Sequence, residues 1–496
     1  MTNLAHHLVR TAETHSDRPV LRLDDQVLDY RALDERSARV AAWLIGEGVV
    51  PGDRVAVMLP NIPQFAVVYY GALRAGAVVV PMNPLLKSGE IAYGVGDCAA
   101  RVLLTCGPSL PEALVAAEQL GTTCVDVAGD DFAAAVDAVR PTAAIVERTD
   151  DDPAVILYTS GTTGRPKGAV LTHGNLRSNT ETVARLLSVN SADVIFGGLP
   201  FFHVFGQTCG LNAAVLTGAC VTLLPRFDPA TALRILTRDR VTIMEGVPTM
   251  FVALLAAAQA AGGAATEGVR VAATGGSAMP VDVLHRFEAA FGCPVVEGYG
   301  LSETSPVVTL GAVDGTRKPG SIGTPVEGVE VRLLDDEGKS VAEGEVGEIA
   351  VRGPNVMRGY WNRPEADAAA FTDGWFRTGD LARRDEDGHY FIVDRKKDLI
   401  IRGGYNVYPR EIEEVLYTHA AVAEAAVIGV PHDLHGEEVC AVIALKPGAT
   451  ATTDELYEYV KARVAPYKYP RTVRFADALP KGPTGKILKR ELSAAP

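Results

Sequence analysis

The chain is poor in residues that would tie it to metals, disulfides or nucleic acid. Its seven cysteines are scattered and odd in number, and it has neither a C-x-x-C pair nor a histidine-rich cluster. This argues against a zinc site and favours core thiols in a reducing compartment. With 61 acidic and 47 basic residues, the net charge is −14. General binding to nucleic acid is therefore disfavoured, because no excess of cations can displace counterions.

Segments that would place the chain in a membrane are also lacking. Residues 1–7 do not show the basic-then-apolar pattern of a secretory signal. Polar residues interrupt the apolar stretch Leu211–Pro225, which indicates buried sheet and helix rather than a membrane span. We expect a soluble cytoplasmic protein, monomeric or homodimeric, with no integral membrane segment and no nucleic-acid partner.

Helical and strand patterns alternate over the first two-thirds of the chain. Apolar residues of Tyr30–Leu44 share one helical face, and Arg54–Leu59 follows as a strand. Gln64–Leu73 is again helical, and Ala77–Val80 is a strand closed by proline. Such alternation predicts layered α/β sheets that are largely parallel.

The pattern changes twice in the last third. From about residue 323, short strands separated by Asp, Glu and Gly turns predict a β-rich subdomain that extends to residue 394. After it, a helix over Glu411–Leu416, two strands and a second helix over Thr453–Val464 predict an α+β domain. The fold class is therefore α/β. A large N-terminal domain over residues 1–394 includes the β-rich subdomain, and a small C-terminal domain follows over residues 395–496.

The most informative segment is Tyr158–Gly168. It joins hydroxyl groups and glycines to one cation: Thr159, Ser160, Gly161, Thr162, Thr163, Gly164 and Lys167. Glycines let backbone N–H groups approach an anion, hydroxyls donate hydrogen bonds, and lysine supplies charge, so the segment suits a polyphosphate. The Walker spacing is absent, because Gly168 stands where that motif requires Ser or Thr. A surface turn is the alternative.

Four further segments have residues suited to the same ligand. Glu303, within Gly298–Thr304, is an oxygen ligand of the kind that Mg²⁺ prefers, although a solvated turn acid is the alternative. Asp380 follows Thr-Gly and could accept hydrogen bonds from a ribose diol, or it could stabilise its own turn.

The other two segments lie near the C-terminus. The charged stretch Asp394–Asp398 precedes Gly403 and Gly404, which permit close approach to a ligand or a simple hairpin. Lys486, on a Pro/Gly loop, is either a surface lysine or a cation that swings over the site to stabilise developing charge.

In their order and spacing, these segments resemble the adenylate-forming superfamily, which includes acyl-CoA synthetases, aryl-CoA ligases, luciferases and nonribosomal adenylation domains. The resemblance covers nearly the whole chain. Asp373–Asp380 and Ile392–Ile400 are most similar to the fatty acyl branch, and Pro200–Gly206 is similar to that branch and to luciferases.

The resemblance implies a ligase that uses ATP and Mg²⁺ to convert a medium- or long-chain fatty acid to acyl-AMP. The acyl group would then pass to the pantetheine thiol of coenzyme A. The alternatives are an acyl carrier protein as acceptor, an aryl acid such as a cinnamate as substrate, or a non-catalytic adenylate-binding protein.

The resemblance also implies individual roles in ATP binding. The loop from Thr159 to Lys167 would hold the β- and γ-phosphates, Glu303 would coordinate Mg²⁺, and Thr304 would bond the α-phosphate. The nucleoside would contact a third set: Gly275, Gly276, Ser277, Gly298, Tyr299, Gly300, Asp380 and Arg395. Lys486 would bridge the substrate carboxylate and the α-phosphate. The implied catalytic residues are Lys486, Glu303, His203 and Thr159.

The implied acid pocket is mainly apolar, which disfavours a dicarboxylate because its second charge would be buried unpaired. Its residues are His203, Val204, Phe205, Val247, Gly275, Ala278 and Val307. His203 would lie beside the substrate carboxylate and later gate the thiol tunnel. A mobile C-terminal lid would turn about a hinge at Lys397 and bring Gly403 and Gly404 to the thiol. One departure is Ile401, which stands where some relatives have a second lysine for thioester formation.

Overall fold

Short strands alternating with helices build the first part of the chain in the computed structural model, which describes residues 2–142, 144–159, 165–263, 268–482 and 485–493. The strands of this part are β1 (Pro19–Leu23), β2 (Gln26–Asp29), β3 (Arg54–Met58), β4 (Val78–Pro81), β5 (Val102–Thr105), β6 (Thr123–Asp126), β7 (Pro153–Thr159), β8 (Lys167–Thr172), β9 (Val194–Gly197), β10 (Cys220–Leu223), β11 (Ile243–Gly246), β12 (Val271–Thr274), β13 (Val295–Gly300) and β14 (Val307–Leu310).

Helices separate most of these strands. They are α1 (His6–His15), α2 (Tyr30–Gly46), α3 (Pro63–Arg74), α4 (Ser88–Asp97), α5 (Leu110–Leu120), α6 (Asp130–Ala138), α7 (His173–Leu186), α8 (Ala213–Thr217), α9 (Pro229–Arg238), α10 (Pro248–Ala260) and α11 (Val281–Phe291). A π-helical stretch, Phe205–Asn212, precedes α8.

Shorter, more irregular elements follow. The strands are β15 (Thr324–Pro325), β16 (Glu330–Leu334), β17 (Gly347–Arg352), β18 (Gly359–Tyr360), β19 (Phe371–Thr372), β20 (Trp375–Arg384), β21 (Tyr390–Arg395), β22 (Ile400–Arg402), β23 (Tyr405–Val407), β24 (Val422–His432), β25 (Gly436–Leu445) and β26 (Thr472–Phe475). The helices are α12 (Pro364–Ala370), α13 (Pro409–Tyr417), α14 (Thr453–Lys461) and α15 (Lys489–Ser493).

Two mostly parallel sheets form the centre of the large N-terminal domain. One has the order β15-β14-β13-β12-β11-β9-β10-β1-β2, and the other has the order β18-β8-β7-β4-β3-β5-β6. Antiparallel pairs occur towards their edges, at β1-β2, β13-β14 and β7-β8. The predicted parallel α/β layers are therefore confirmed. Because parallel strands share one direction, their carboxyl ends meet at one edge, where ligands bind in such sheets.

Two smaller sheets follow. The β-rich part has the order β16-β17-β20-β19, with β21 beside β20. The small C-terminal domain has the order β23-β22-β25-β24, with β26 beside β25. Thr452 caps the N-terminus of α14, since its Oγ1 accepts a hydrogen bond from the Glu455 backbone N–H at 3.1 Å. That helix ends at Lys461, three residues before the predicted Val464.

The central strands are buried on both faces. On β11, Ile243 belongs to the core on one side of the sheet, and the adjacent Met244 belongs to the core on the other side. The seven cysteines are free thiols, and all but Cys124 are buried, as expected for core residues. Among the described residues, no helix is both long and apolar enough to cross a bilayer.

A test of backbone packing is available where β13 meets β14. A Cβ atom on Gly300 would lie 1.9 Å from the carbonyl oxygen of Pro306. Because that neighbour is backbone, Gly300→Ala should destabilise the fold by about 2 kcal/mol or more. Gly46, at the end of α2, has no atom within 4 Å of the added Cβ, so Gly46→Ala should be neutral or stabilising by ~0.5–1 kcal/mol. Urea unfolding checks both variants, and equal midpoints would contradict the clash.

Candidate active site

The carboxyl ends of the parallel strands open into one large cavity. Its volume is about 2170 Å³, whereas a pocket for one small ligand usually has ~300–1,000 Å³. Both domains contribute to its wall: β7, β11, β12 and β13 from the large domain, and the loop before α15 from the small one. The cavity can therefore hold a nucleotide and a second substrate together.

One end of the cavity combines a carboxylate, hydroxyl groups and a cation. Thr159 and Lys167 face each other as the last and first residues of the antiparallel strands β7 and β8. Glu303 Oε1 accepts a hydrogen bond from the Tyr360 hydroxyl at 2.9 Å and one from Thr159 Oγ1 at 3.3 Å. Lys167 Nζ lies 5.3 Å from the centre of the Tyr360 ring. The predicted residues between the strands lie outside the described part of the chain: Ser160, Gly161, Thr162, Thr163 and Gly164.

This end suits a hard cation that is shared with a phosphate. Within the described ranges, no cluster of three or more His, Cys, Asp or Glu could hold a metal by itself. Mg²⁺ commonly uses only one or two carboxylates and takes its other ligands from substrate phosphates and water. Glu303, oriented by two hydroxyl groups, fits that requirement.

A buried carboxylate lies at another part of the cavity. Asp380 Oδ2 accepts a hydrogen bond from the Tyr299 hydroxyl at 2.7 Å, and Oδ1 lies 3.1 Å from Arg395 Nε. Asp380 and Arg395 are also paired across β20 and β21. Burial, followed by the charge of Asp380, raises the pKa of Tyr299, so this side chain remains a neutral donor. The side chain of Asp380 is thereby held in one orientation beside the glycines of β13.

Lys486 enters the cavity from the small domain. Its loop docks on the large domain, where the Thr249 hydroxyl donates a hydrogen bond to the Gly485 carbonyl at 3.2 Å. The Gly482 N–H donates to the Lys486 carbonyl at 2.8 Å, which joins the described residues on the two sides of this loop. Burial lowers the pKa of Lys486 to about 8, and the charge of Arg395 contributes in the same direction. The ammonium group is thus partly desolvated in the cavity.

His203 lies in the same region as an uncharged imidazole. Its pKa is lowered to about 4, first by burial and then by the positive charge of Lys486. The backbone N–H of Phe205 donates to His203 Nδ1 at 3.2 Å. The proton therefore resides on Nε2, which can donate a hydrogen bond to an anion.

The cavity wall includes most of the predicted residues that the structure describes: Thr159, Lys167, His203, Val204, Phe205, Val247, Gly275, Gly276, Ser277, Gly298, Tyr299, Gly300, Glu303, Val307, Asp380, Arg395, Lys397 and Lys486. The two domains therefore bring together segments separated by more than three hundred residues in the sequence.

Four predicted residues lie elsewhere. Ala278 is outside the cavity wall, because the chain has turned away after Ser277. The Thr304 side chain is fully buried, and its hydroxyl donates to the Pro306 carbonyl at 2.5 Å, so it does not face the cavity as predicted. Gly403 and Gly404 form the turn between β22 and β23 and do not line the cavity.

Two cavity residues were missed by the sequence reasoning. Tyr360 holds Glu303, but nothing in the Gly359-Tyr360 pair distinguishes it from an ordinary core tyrosine. Glu245 is a buried acid in the cavity wall. The sequence does mark this residue. In the mainly apolar run from Val241 to Val247, which also includes Thr242 and Gly246, Glu245 is the one charged residue.

Comparison with known proteins agrees with this geometry. The model of the AMP-binding enzyme family matches residues 8–361, and that of the AMP-binding enzyme C-terminal domain matches residues 411–486. The chain is 39% identical to a long-chain-fatty-acid–CoA ligase of Bacillus subtilis, over 98% of this chain and 93% of the relative. It is 40% identical to a feruloyl-CoA synthase of an Amycolatopsis species, over 98% and 97%. The crystal structure of ATP-bound MatB from Rhodopseudomonas palustris superposes with a TM-score of 0.91 at 34% identity, over 99% and 98%.

The protonation of His203 can be tested by NMR. Because burial and Lys486 both disfavour the imidazolium, the His203 ring should remain neutral down to about pH 5 and gain a proton only near pH 4. Histidine Cε1–Hε1 correlation spectra give the titration, and His203→Asn assigns the signal by its loss. Lys486→Ala should raise the His203 pKa by removing the nearby charge. A midpoint at the ordinary value of 6.5 would contradict burial of the ring in the closed cavity.

Proposed function

The chain belongs to the AMP-binding enzyme family and is an adenylate-forming CoA ligase, and we propose that it activates a medium- or long-chain fatty acid with ATP and transfers it to coenzyme A. One observation supports this best. A half-buried lysine, a neutral histidine and an apolar part of the wall line the same cavity as Asp380 and Glu303. We call this part, formed by Val204, Phe205, Val247 and Val307, the apolar branch. An acid in the apolar branch would thus present its carboxylate to both Lys486 and the nucleotide.

The first step overcomes repulsion between two anions. The acid carboxylate attacks the α-phosphorus of ATP, the bond to the bridging oxygen breaks, and pyrophosphate leaves. Lys486 would lie between the carboxylate and the α-phosphate, where its charge stabilises the developing negative charge in a dry site. His203 would donate its Nε2 proton as a hydrogen bond to the carboxylate. Mg²⁺, when bound at Glu303, would neutralise phosphate charge.

The nucleotide would be held by groups that are already oriented. Asp380, held by Tyr299 and Arg395, offers carboxylate oxygens to the ribose diol. Thr159 and Lys167 flank the loop that would grip the β- and γ-phosphates and then retain the leaving pyrophosphate. Fixing both reactants in one geometry contributes a proximity term that reaches ~7–11 kcal/mol in well-oriented systems.

The second step requires the lid to turn. With Lys486 beside the mixed anhydride, its ammonium group would occupy the side from which a thiol must approach. Rotation of the small domain about Lys397, at the exposed end of the cavity, would withdraw Lys486 and bring the Gly403-Gly404 turn to the site. The thiol sulfur then attacks the acyl carbonyl, AMP leaves with the bonding electrons, and the thiol proton is released.

The apolar branch supports an acid with an apolar body. Val204, Val247 and Val307 line it with Phe205. An aryl acid is the second candidate, because the chain resembles a feruloyl-CoA synthase as closely as it resembles a fatty acid ligase. Coenzyme A is favoured over a carrier protein as acceptor because these relatives act with coenzyme A.

A substrate panel tests the proposal. Medium- and long-chain fatty acids and cinnamates are each incubated with ATP and Mg²⁺, and with either coenzyme A or a holo acyl carrier protein. Pyrophosphate release should depend on the acid, and mass spectrometry should detect the acyl-CoA thioester. Pyrophosphate release that no acid stimulates would contradict the proposal and favour an adenylate-binding protein.

Removal of Lys486 should separate the two half-reactions. Lys486→Ala should slow acid-dependent pyrophosphate exchange by ~100-fold or more, because the charge facing the α-phosphate is lost. Thioester formation from a supplied acyl-adenylate should remain within about threefold of the wild type.

The matched control is Lys481→Ala. Lys481 lies on the same loop but outside the cavity wall, where it pairs with Glu424. It should leave both half-reactions near the wild-type rate, since a surface ion pair contributes little. If Lys486→Ala slows both half-reactions equally, the assignment of Lys486 to the adenylation step alone is refuted.

A further inference from the structure

A single carboxyl group interrupts the wall of the apolar branch. Glu245 lies near the carboxyl end of β11, directly opposite Ala273 of β12, and both residues line the cavity. Only 1% of Glu245 is exposed. An acid in the cavity wall is unexpected in a pocket for an unsubstituted alkyl chain, because burial of a polar group is unfavourable unless it finds a partner.

Within the described part of the chain, the Glu245 carboxyl group is incompletely satisfied. Its Oε1 atom has no hydrogen-bond partner among the described residues. Its Oε2 atom faces Gly210 of the π-helical stretch, where an added Cβ would lie only 3.3 Å away. The glycine therefore leaves room for the carboxyl group to approach the helix backbone without giving it a side-chain partner.

Burial favours the protonated, uncharged form of the carboxyl group at neutral pH. Burial alone raises the pKa of Glu245 to about 8. The neighbouring titratable group, the Cys209 thiol, also has a raised pKa, first through burial and then through Glu245. A protonated carboxyl group can donate one hydrogen bond and accept others. A hydroxyl group complements it, because it too can donate and accept.

The location fits the far end of a bound acid. His203 directly precedes Val204, and Gly210, beside Glu245, stands six positions after Val204. His203 and Glu245 therefore line the same cavity at the two ends of this segment. An acid whose carboxylate lies beside His203 would extend along the wall and bring its distal end to Glu245.

We propose that Glu245 selects acids that bear a hydroxyl group at the end remote from the reacting carboxylate. The proposal rests on the proposed function, since it requires the same cavity to hold the carboxylate beside Lys486. Two kinds of acid offer this chemistry: a ring-hydroxylated arylpropenoate and an ω-hydroxylated medium-chain fatty acid. In each acid, the distal hydroxyl group would provide the hydrogen-bond partner that the Glu245 carboxyl group lacks.

Matched substrate pairs test the selection. The full-length enzyme is assayed for acyl-CoA formation with 4-hydroxycinnamate against cinnamate, and with an ω-hydroxy acid against the unsubstituted acid of the same length. In at least one pair, kcat/KM should favour the hydroxylated acid by about tenfold or more, since a site built to bond a hydroxyl leaves its own group unpaired when the hydroxyl is missing. The pair that shows the preference identifies the skeleton.

Substitutions then assign the preference to Glu245. Glu245→Leu should remove the preference and raise kcat/KM for the unsubstituted acid, because the pocket end becomes apolar. Glu245→Gln should retain part of the preference, since an amide both donates and accepts. The control is Glu297→Gln, another buried acid on the neighbouring part of this sheet but outside the cavity wall. It should leave the preference unchanged, and thermal unfolding confirms that each variant is folded.

The outcomes separate this inference from the proposed function. If no acid yields a thioester, the proposed function fails. If thioesters form but neither pair shows a preference, or if Glu245→Leu keeps the preference, the role of Glu245 is overturned while the ligase remains. Preference for an ω-amino acid over the ω-hydroxy acid would also overturn it, because an ammonium group would pair with an ionised carboxylate.

Discussion

The free energy of holding the Lys486 ammonium group inside the cavity is the constraint on which the proposed chemistry depends. Lowering the Lys486 pKa from 10.5 to about 8 corresponds to roughly 3 kcal/mol of unfavourable free energy in the closed arrangement. Because the closed state lowers the pKa of a cation, this cost is present in full below about pH 8 and fades as the pH rises to 10.5. Under the proposed lid motion, anions that enter the cavity would offset this cost, and closure on an empty site would be disfavoured. The polyphosphate and the acid would thereby become linked ligands, each of which favours the lid position that the other needs.

Much of the fold could be predicted from the sequence, since strong local patterns coincide with elements that the sheets bury. The runs Arg54–Leu59 and Ala77–Val80 are apolar because β3 and β4 lie inside a sheet covered on both faces. The helix from Tyr30 shows a clear apolar face because only that side packs. The π-helical stretch was not predicted. Its widened turns give no separate periodic signal over so short a segment.

The site was predictable only where a motif defines a ligand contact. Asp380, Glu303 and Lys486 were expected at the site because glycines and hydroxyls accompany them in the sequence, and all three line the cavity. Tyr360 was not found, because its role is set by a tertiary contact with Glu303 between segments more than fifty residues apart. Thr304 was misassigned, because its place in a motif says nothing about which way its hydroxyl turns. Glu245 was overlooked because the pocket was inferred from its apolar residues, which are the most numerous. A single polar residue in an apolar run is the better indicator of a specific contact.

The π-helical stretch has a consequence for how acid selectivity can change in related sequences. A π-helix accommodates an extra residue within an otherwise α-helical path. Loss of one residue from Phe205–Asn212 would restore α-helical geometry, so the flanking segments would keep their orientation while the residues within the stretch shift by one position. The place in the cavity wall that Cys209 now occupies would then carry a neighbouring side chain, although no residue of the wall had been substituted. Deletion of a single codon in this segment would therefore change the depth and polarity of the apolar branch in one step. A series of point mutations would reach the same change only gradually.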